Sequence, residues 1–405
     1  MLKNQLSVVL FMTALITVGH ISTNIYMPSM PAMALFFDTD IEHVQMTVSA
    51  YLAAFAFGQL VYGPISDRFG RKPVLIIGLV IFLIATLISV CAPFFSKSIE
   101  VLILMRAVQA LGASAGPIIA RAIMRDLYSR DMMAKMMSYV AIAMGLAPAF
   151  APILGGYLEI WFDWRASFLV ILFFCAIVLL ISFIYLPETN KYRDYNSSEK
   201  PITIITNYYI LSKELIYWRY TLVGSFVFAG MFAFMTTAPF VVINLLGYNA
   251  VVYGWASFTA IIGYMMGSFV LSRLAGKQSI EKLIAIGSLI IAIFSLVLFV
   301  LALLGEFSLV SLFFPLTGMA FGMAMMFPST MAGAISIYPR IAGAGAALYG
   351  FVQMLIAALI VWLVSKLSND THLPLIWVVS FSMLASCIFA FLGPKKLINI
   401  SEKNN

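Results

Sequence analysis

The chain has 405 residues, of which 62% are hydrophobic and only 10% are charged, and its mean hydropathy is +1.01. So little charge at this length excludes a soluble globular domain, and the lack of alternation with period two argues against a transmembrane β-barrel. The formal net charge of +7 could suggest a nucleic-acid-binding protein, but the positions of the cations, described below, argue against one. Three cysteines, Cys91, Cys175 and Cys387, lie in or beside apolar runs without C-x-x-C spacing, which predicts small core residues rather than a metal site or disulfides.

Apolar runs of about 20 residues, the length that an α-helix needs to cross a bilayer, follow one another along the chain. The first run follows Lys3, is longer than the apolar region of a secretory signal peptide and precedes no small-x-small cleavage site. We therefore interpret it as a membrane span rather than a signal peptide. The sequence predicts twelve spans, at residues 6–27, 44–65, 73–93, 99–120, 136–158, 166–187, 218–241, 251–272, 281–304, 308–336, 341–365 and 373–393.

The longest polar segment, residues 188–217, divides the spans six and six, as a linker between two membrane bundles would. The halves repeat faintly, because Pro28 and Pro31 close the first span as Pro239 closes the seventh. These features predict an all-α membrane protein with twelve transmembrane helices in two six-helix bundles and substrate bound between them. The predicted domains are an N-terminal bundle at 1–187, a cytoplasmic linker at 188–217, a C-terminal bundle at 218–393 and a cytoplasmic tail at 394–405.

The cations predict which side of the membrane each loop faces. Among the 24 Lys and Arg, only Lys97, Arg165 and Lys366 lie on the side opposite to the N-terminus, and Arg106 lies inside a span, which leaves 20 on the N-terminal side. The acidic residues divide about evenly between the sides, so the asymmetry belongs to the cations, as the positive-inside rule requires. We therefore predict a multi-pass membrane protein with both termini in the cytoplasm.

Span one carries a polar stripe, because Thr13, Thr17, His20 and Asn24 recur at i, i+4, i+7 and i+11 and share one helix face. A polar stripe in a membrane helix is expected to face protein or water rather than lipid. The sequence leaves open the alternative that His20 is a core histidine whose hydrogen bonds are satisfied.

A compact charged turn, Gly-Pro-Ile-Ser-Asp-Arg-Phe-Gly-Arg-Lys at residues 63–72, joins spans two and three. We predict that Asp67 accepts hydrogen bonds from the N-terminus of span eleven, where the small residues 342–346 lie, and so closes a cytoplasmic gate. The alternative is a solvated loop whose cations only set the topology, although such a loop would not need two glycines. The predicted gate residues are Gly63, Asp67, Arg68, Gly70 and Arg71.

Arg106 is the one charge that lies unambiguously inside a predicted span, where a cation costs at least ~2.5–3.5 kcal/mol. Counting about 1.5 Å per residue from the same membrane surface places Arg106 and Gln109 at the depth of His20 and Asn24. These four residues are the predicted substrate or coupling site. An arginine that snorkels to the interface is the alternative.

Three further spans contain candidate functional elements. In span five, glycines and prolines favour either a bendable element or simple close packing, and the hinge candidates are Pro148, Pro152, Gly155 and Gly156. Apolar stripes in spans seven and ten are typical of helix packing, but also of pockets for varied apolar ligands. The stripes are Phe228, Phe232 and Met235 in span seven and Met319, Met323 and Met326 in span ten. The predicted cavity-lining residues are Thr17, Tyr26, Phe232, Thr236, Met319, Met323 and Met326.

The turn at 63–72 resembles the G-x-x-x-D-R-x-G-R-[KR] signature of the major facilitator superfamily, with every position present. Residues 106–112 resemble its R-x-x-Q-x-x-G motif, and residues 145–156 resemble its antiporter motif G-P-x-x-G-G, with Ala147 where glycine is usual. Four motifs resemble the Bcr/CflA drug-efflux branch: Asn-Ile-Tyr-Met-Pro at 24–28, Leu-Pro-Glu-Thr at 186–189, Ala-Pro-Phe at 238–240 and Gly-Phe-Val-Gln at 350–353. The resemblance implies a drug:proton antiporter of the bacterial inner membrane that exports small, mostly apolar compounds and confers drug resistance.

One position departs from that branch, because Asn24 stands where an aspartate is common, and no carboxylate remains in the interior of any predicted span. Asparagine does not titrate, so the usual proton site is missing, and Arg106 lacks its expected acidic neighbour. We therefore hypothesise that Arg106, His20, Asn24 and Gln109 receive an anionic or strongly hydrogen-bonding substrate, and that His20 could carry the proton instead.

The sequence thus predicts a secondary active transporter, most simply a multidrug or small-molecule exporter that works by alternating access with proton coupling. The alternative is a transporter of an anionic metabolite or a siderophore. The expected partners of this monomer are a small-molecule substrate, protons and the lipid bilayer, and no nucleic acid, cofactor or metal is expected. An enzyme is disfavoured because the three histidines lie far apart and no nucleophile or metal constellation occurs, so no catalytic residue is assigned. A sensor would need a larger soluble domain, and a channel would not need hinge loops.

Overall fold

Long α-helices make up most of the computed structural model, which describes residues 5–95, 98–128, 132, 136, 150–190, 201–367 and 371–392. The helices are α1 (Gln5–Asn24), α2 (Met30–Phe37), α3 (Ile41–Phe69), α4 (Arg71–Phe95), α5 (Ile99–Leu127), α6 (150–161), α7 (Trp164–Tyr185), α8 (Pro201–Ser212), α9 (Leu215–Phe240), α10 (Ala250–Leu274), α11 (Ile280–Leu303), α12 (Leu309–Ser336), α13 (Ala342–Ser365) and α14 (Leu373–Leu392). Short 3-10 helices lie at Met27–Ser29 and Pro339–Ile341, and a π-helical segment at Val241–Leu245 continues α9.

Eleven segments of the described chain are long and apolar enough to cross a membrane, and they coincide with eleven of the twelve predicted spans. Most of the remaining span, predicted at 136–158, lies outside the described residues, although residues 150–161 are helical. The predicted all-α membrane fold is therefore confirmed. Helix α5 continues to Leu127, beyond the predicted end of the span at 120, so Arg121 lies within the helix.

Prolines shape the first membrane segment. Pro28 has no N–H to donate to the carbonyl of Asn24, so α1 ends there, and the chain continues through a 3-10 helix and α2, each with a proline in its first turn. The apolar segment therefore runs on to Phe37 instead of closing at Pro31. The break turns Tyr26 into the interior of the first half, where it is fully buried.

Glycines allow helices to approach closely within each half. A Cβ atom at Gly116 of α5 would lie 2.3 Å from the carbonyl oxygen of Leu15 in α1, and one at Gly267 of α10 would lie 2.2 Å from that of Phe321 in α12. Both distances are far shorter than van der Waals contact, so these helix pairs can be this close only where the side chain is absent.

The segment predicted as a linker contains a helix of its own. Residues 201–212 form α8, and α9 begins at Leu215, slightly before the predicted boundary at 218. The indole N–H of Trp218 donates to the carbonyl of Ser212 at 2.7 Å and so joins the two helices. Residues 191–200 of the linker and the predicted tail at 394–405 lie outside the described part of the chain.

The two halves, residues 5–190 and 201–392, are joined at one end of the bundle. We call the end that contains the turn at 67–72 the charged end, and the opposite end, which contains α2, the α2 end. Near the α2 end, Lys366 of α13 pairs with Glu42 of α3. Two hydrogen bonds follow at greater depth: Gln45 Nε2 donates to Thr237 Oγ1 (3.1 Å), and Ser49 Oγ donates to the carbonyl of Ala358 (2.8 Å).

Toward the charged end the halves separate. The last close approach described between α3 and α13 joins Gln59 and Gly350, where a Cβ atom would lie 2.1 Å from the Gln59 Oε1. Beyond it, residues 60–69 of α3 and 342–348 of α13 are mostly exposed or half-exposed. A Cβ atom at Gly63 or Gly343 would meet no atom within 4 Å. The described helices therefore leave a space between the halves that opens at the charged end.

Candidate functional site

The interior of the first half holds a fully buried cation. Arg106 lies about two turns into α5 and has no exposed surface. Its guanidinium carbon lies 4.5 Å from the ring centroid of Tyr26, 4.3 Å from that of Tyr51 and 5.8 Å from that of Phe168. Because the faces of aromatic rings attract cations, rings from three separate segments enclose and stabilise this charge.

Arg106 forms a hydrogen bond with a neutral side chain and not an ion pair with a carboxylate of the described residues. Its Nη1 donates to Gln109 Oε1, and Gln109 Nε2 donates to Thr86 Oγ1 of α4 at 2.6 Å. No carboxylate of the described ranges pairs with Arg106, and its Nε and Nη2 have no hydrogen-bond partner. The complete burial of Arg106 argues against a side chain that snorkels to the membrane interface. A ligand could reach Nε and Nη2 only if the aromatic rings moved.

The two tyrosine rings over Arg106 are themselves anchored. The hydroxyl of Tyr26 lies 3.0 Å from Thr47 Oγ1. The hydroxyl of Tyr51 donates to the carbonyl of Gly19 at 3.0 Å and accepts from Ser22 Oγ at 2.9 Å, which ties α3 to α1. Sequence analysis missed three residues of this cluster: Tyr51, Thr86 and Phe168. They come from three different spans, and no local pattern distinguishes them from ordinary core residues.

The four residues predicted as a substrate or coupling site form two separate pairs. Arg106 and Gln109 pair on α5, whereas His20 and Asn24 bond to their own helix. The imidazole Nδ1 of His20 donates to the carbonyl of Ile16 (3.1 Å), and Asn24 Nδ2 donates to the carbonyl of His20 (2.7 Å). No hydrogen bond seen within the described ranges joins one pair to the other.

The polar stripe of α1 lies on its more accessible face. Thr13, His20 and Asn24 are half-exposed, whereas the flanking residues of α1 are mostly buried. Thr17 is buried, and its hydroxyl donates to the carbonyl of Thr13 at 2.8 Å. Three of the four stripe residues thus lie on the face of α1 that neighbouring helices cover least.

Aromatic side chains form the corresponding face of the second half. Phe228 and Phe232 of α9 are half-exposed and lie 4.6 Å apart, and Phe228 stacks on Phe327 of α12 at 6.1 Å. Thr236 is buried and donates to the carbonyl of Phe232 at 2.7 Å. This face is apolar, so it suits the hydrophobic part of a ligand.

The methionine stripe of α12 is buried more deeply than a cavity wall would be. Met319 and Met326 have no exposed surface, and Met323 is 9% exposed. The Ser288 hydroxyl of α11 lies 3.6 Å from the Met326 sulfur, so Met326 faces a neighbouring helix of its own half. Helix packing therefore accounts for Met326.

Arg71 organises the charged turn. It is only 3% exposed, pairs with Asp67, lies 3.1 Å from Asp126 Oδ2 and donates to Ser66 Oγ at 2.7 Å. Asp67 also lies 3.7 Å from Arg125 of α5. The described ion pairs of Asp67 thus lie in its own half, and none reaches the N-terminus of α13.

A different carboxylate occupies a helix N-terminus at this end. Glu188 accepts from the backbone N–H groups of Arg71 (2.9 Å) and Lys72 (3.2 Å), the first residues of α4, where the helix dipole favours a negative charge. Gly70 has a φ of 104°, which disfavours any residue with a side chain, so this glycine permits the turn. Arg68 is exposed and lies over the ring of Phe69.

The hinge candidates in α6 lie at tight helix contacts. A Cβ atom at Gly155 would lie 1.7 Å from the carbonyl oxygen of Ile25, and one at Gly156 would lie 2.5 Å from that of Ala250 in the other half. The carbonyl oxygen of Pro152 would lie 2.7 Å from a Cβ atom at Gly254. Close packing accounts for these contacts, while Pro148 lies outside the described residues.

Sequence comparison supports one family for most of the chain. A family model described as Major Facilitator Superfamily matches residues 12–361. A bicyclomycin resistance protein homolog of Haemophilus influenzae is 30% identical over 92% of this chain and 93% of its own length. The multidrug resistance protein D of Escherichia coli is 29% identical over 87% of this chain and 86% of its own length.

Structural comparison supports the same fold. The Escherichia coli xylose transporter XylE, in a partially occluded inward-open conformation, superposes with a TM-score of 0.76 over 97% of this chain and 99% of that chain. Only 14% of the residues are identical, so this likeness concerns the fold alone.

We predict that replacing Gln109 by leucine destabilises the protein. The substitution leaves Arg106 Nη1 and Thr86 without their buried partner, which costs roughly 1.5–3 kcal/mol for a bond to a charged group. Gln109→Glu, which supplies a carboxylate, is expected to retain the stability of the original protein. Thermal unfolding of the purified protein in detergent measures both variants. Equal midpoints for the leucine variant and the original protein would contradict this account of Arg106.

The second prediction compares two neighbouring arginines. Arg71→Ala should reduce the free energy of unfolding by roughly 2–3 kcal/mol, somewhat less than for a fully buried pair because Asp67 is half-exposed. Arg68→Ala removes the same charge from an exposed position and should cost less than about 1 kcal/mol. Thermal unfolding is again the measurement, and similar losses in both variants would show that Arg71 does not organise the turn.

Proposed function

This chain belongs to the major facilitator superfamily, and we propose that it is an exporter of small, mostly apolar molecules, including drugs, in the bacterial inner membrane. It is a membrane transporter and not an enzyme. The observation that carries the proposal is the distribution of contacts between the halves, which are joined near the α2 end and separated at the charged end. Such a space, open on one side, is what alternating access requires.

The charged end is proposed to face the cytoplasm, with both termini on that side. The excess of Lys and Arg in the loops at this end supports this orientation through the positive-inside rule. Two bundles at 1–187 and 218–393 would then rock about the linker in a monomer, and the conformation described above would be the inward-open one. Cargo would enter from the cytoplasm, as export requires.

The two walls of the space suit amphipathic cargo. The polar stripe of α1, with His20 and Asn24, supplies hydrogen-bonding groups, and Phe228 and Phe232 of α9 supply an apolar surface. Pockets of this kind accept varied ligands when their apolar part is adaptable. The names of the relatives, which refer to resistance to bicyclomycin and to multiple drugs, support drug-like cargo.

Proton coupling is proposed to use His20 rather than a carboxylate. No acid lies in the interior of any predicted span, and His20 is half-exposed on the accessible face of α1. An imidazole can bind and release a proton, which the amide of Asn24 cannot. Arg106, which donates a hydrogen bond to Gln109, is proposed to supply the fixed positive charge of the site. The rings of Tyr26 and Tyr51 cover this guanidinium in the conformation described.

A second candidate function is transport of an organic anion. It is favoured by the combination of buried arginine and absent interior carboxylate, because a cationic substrate would meet no opposite charge. The two candidates differ in the charge of the cargo and share the same fold and gating.

Transport into everted vesicles is expected to distinguish these functions. With an acidic lumen, a neutral antibiotic such as chloramphenicol should accumulate saturably and an uncoupler should abolish the uptake. Parallel arms with ethidium and an aryl carboxylate test the charge of the cargo, and preference for the carboxylate alone would favour the second candidate. His20→Gln should remove the pH dependence but preserve counterflow. Uptake that is linear in concentration and insensitive to the uncoupler would refute secondary active export.

The rocking motion predicts a specific defect at Gly63. This residue has open space around it in the present conformation, but closure would bring α3 and α13 together at the charged end. Gly63→Leu should therefore lower the transport rate by about tenfold or more while leaving thermal stability unchanged. Val61→Leu, on the exposed surface of the same helix, is the matched control. Normal transport by the Gly63 variant would argue against closure between these helices.

A further inference from the structure

A second arginine lies deep in α5 and has no assigned role. Arg121 follows Arg106 by about 22 Å along the helix and precedes the end of α5 by about 9 Å. Its neighbours Ile119, Ala120, Ile123 and Met124 are all fully buried, whereas its own side chain is half-exposed. A half-exposed cation among buried residues is consistent with a side chain that borders a space inside the protein.

The Arg121 side chain points toward the middle of the bundle. Its Nε donates to the carbonyl of Pro117, one turn back along α5, at 3.0 Å. A snorkelling arginine would extend in the other direction, toward the nearby charged end. The guanidinium therefore turns back along α5 and not toward the nearby end of the helix.

Arg121 also differs from three other buried or half-buried arginines in its partners. Arg71, Arg165 and Arg219 each form an ion pair with an acidic residue. No described carboxylate pairs with Arg121, and the bond to Pro117 uses only one of its five N–H donors. The four N–H groups of Nη1 and Nη2 form the planar fork that binds a carboxylate in bidentate fashion. Arg106 cannot offer this fork in the same conformation, because aromatic rings and Gln109 enclose it.

The adjacent helix contributes an unpartnered hydroxyl. The tight contact of Gly116 with Leu15 sets the register of the antiparallel helices α5 and α1. With about 1.5 Å per residue, Thr13 then lies within about 5 Å of the level of Arg121. The Thr13 hydroxyl is buried and has no hydrogen-bond partner. A buried hydroxyl without a partner at this level of α1 is a polar group that a ligand could satisfy.

We propose that Arg121 is the anion-binding residue of the inward-open cavity, and that it pairs with the carboxylate of an amphipathic organic anion whose apolar body lies against Phe228 and Phe232. This inference deepens the second candidate function and rests on the proposal that the charged end opens to the cytoplasm. Arg121 would capture the anionic group in the inward-open conformation, and the covered Arg106 would take no part in that step.

Matched probes test the charge requirement directly. Binding of 1-naphthaleneacetate, its methyl ester and 1-naphthylethylamine to the purified full chain in detergent can be followed by tryptophan fluorescence. The original protein should bind the carboxylate about tenfold or more tightly than the ester, and high salt should weaken only the carboxylate. Arg121→Gln should lower the affinity for the carboxylate about 10- to 100-fold and leave the ester unchanged. Arg121→Lys should restore part of the loss, because it keeps the charge but not the fork.

The control is Arg273→Gln, which removes an equal charge from an exposed position at the end of α10 and should bind all three probes as the original protein does. The inference is overturned if the original protein binds the ester or the amine as tightly as the carboxylate. It is also overturned if Arg121→Gln binds the carboxylate normally, or loses the carboxylate and the ester equally.

Flux measurements separate this inference from the proposed function. In proteoliposomes, Arg121→Gln should lose counterflow of the carboxylate and retain counterflow of the ester. The proposed function fails if the original protein transports neither the carboxylate, nor the ester, nor any neutral drug. In that case, the difference in affinity between the carboxylate and the ester still tests the role of Arg121.

Discussion

The structure depends on how a positive charge is kept inside a membrane protein without an acidic partner. Arg106 is fully buried, and the rings of Tyr26, Tyr51 and Phe168 and the amide of Gln109 surround it. The quadrupoles of the aromatic rings and the neutral hydrogen bonds stabilise a guanidinium less than a carboxylate partner would. Because they carry no negative charge, the net positive charge of Arg106 is not neutralised. The first half therefore keeps a buried positive charge that no described carboxylate neutralises.

At the charged end, each half has its own polar network. In the first half, Arg71 joins α3, α4 and α5 through Asp67 and Asp126. In the second, Arg219 of α9 lies 2.7 Å from Glu281 Oε2 of α11 and also donates to the carbonyl of Ala390 in α14 at 2.7 Å. Both networks connect helices within one half, and neither joins the described residues of the two halves. This allows each bundle to move as a rigid body.

Asn24 is neutral, and no carboxylate of the described residues pairs with the buried Arg106. Asn24 donates to the carbonyl of His20 and so remains part of the accessible face of α1. No described carboxylate pairs with Arg106 or Arg121 of α5, and Phe228 and Phe232 form an aromatic face on α9.

The spans and the all-α fold could be predicted from local sequence alone. A chain in lipid must satisfy its backbone hydrogen bonds within helices, so its spans are visible as long apolar runs. The sequence also identified Arg106, Gln109 and the charged turn, since charges among apolar residues are conspicuous. Tertiary structure alone decided the partners. Glu188 rather than Asp67 sits at a helix N-terminus, Met326 faces α11, and the rings over Arg106 come from distant segments. These contacts depend on side-chain direction and helix approach, which non-local packing sets and local periodicity does not encode.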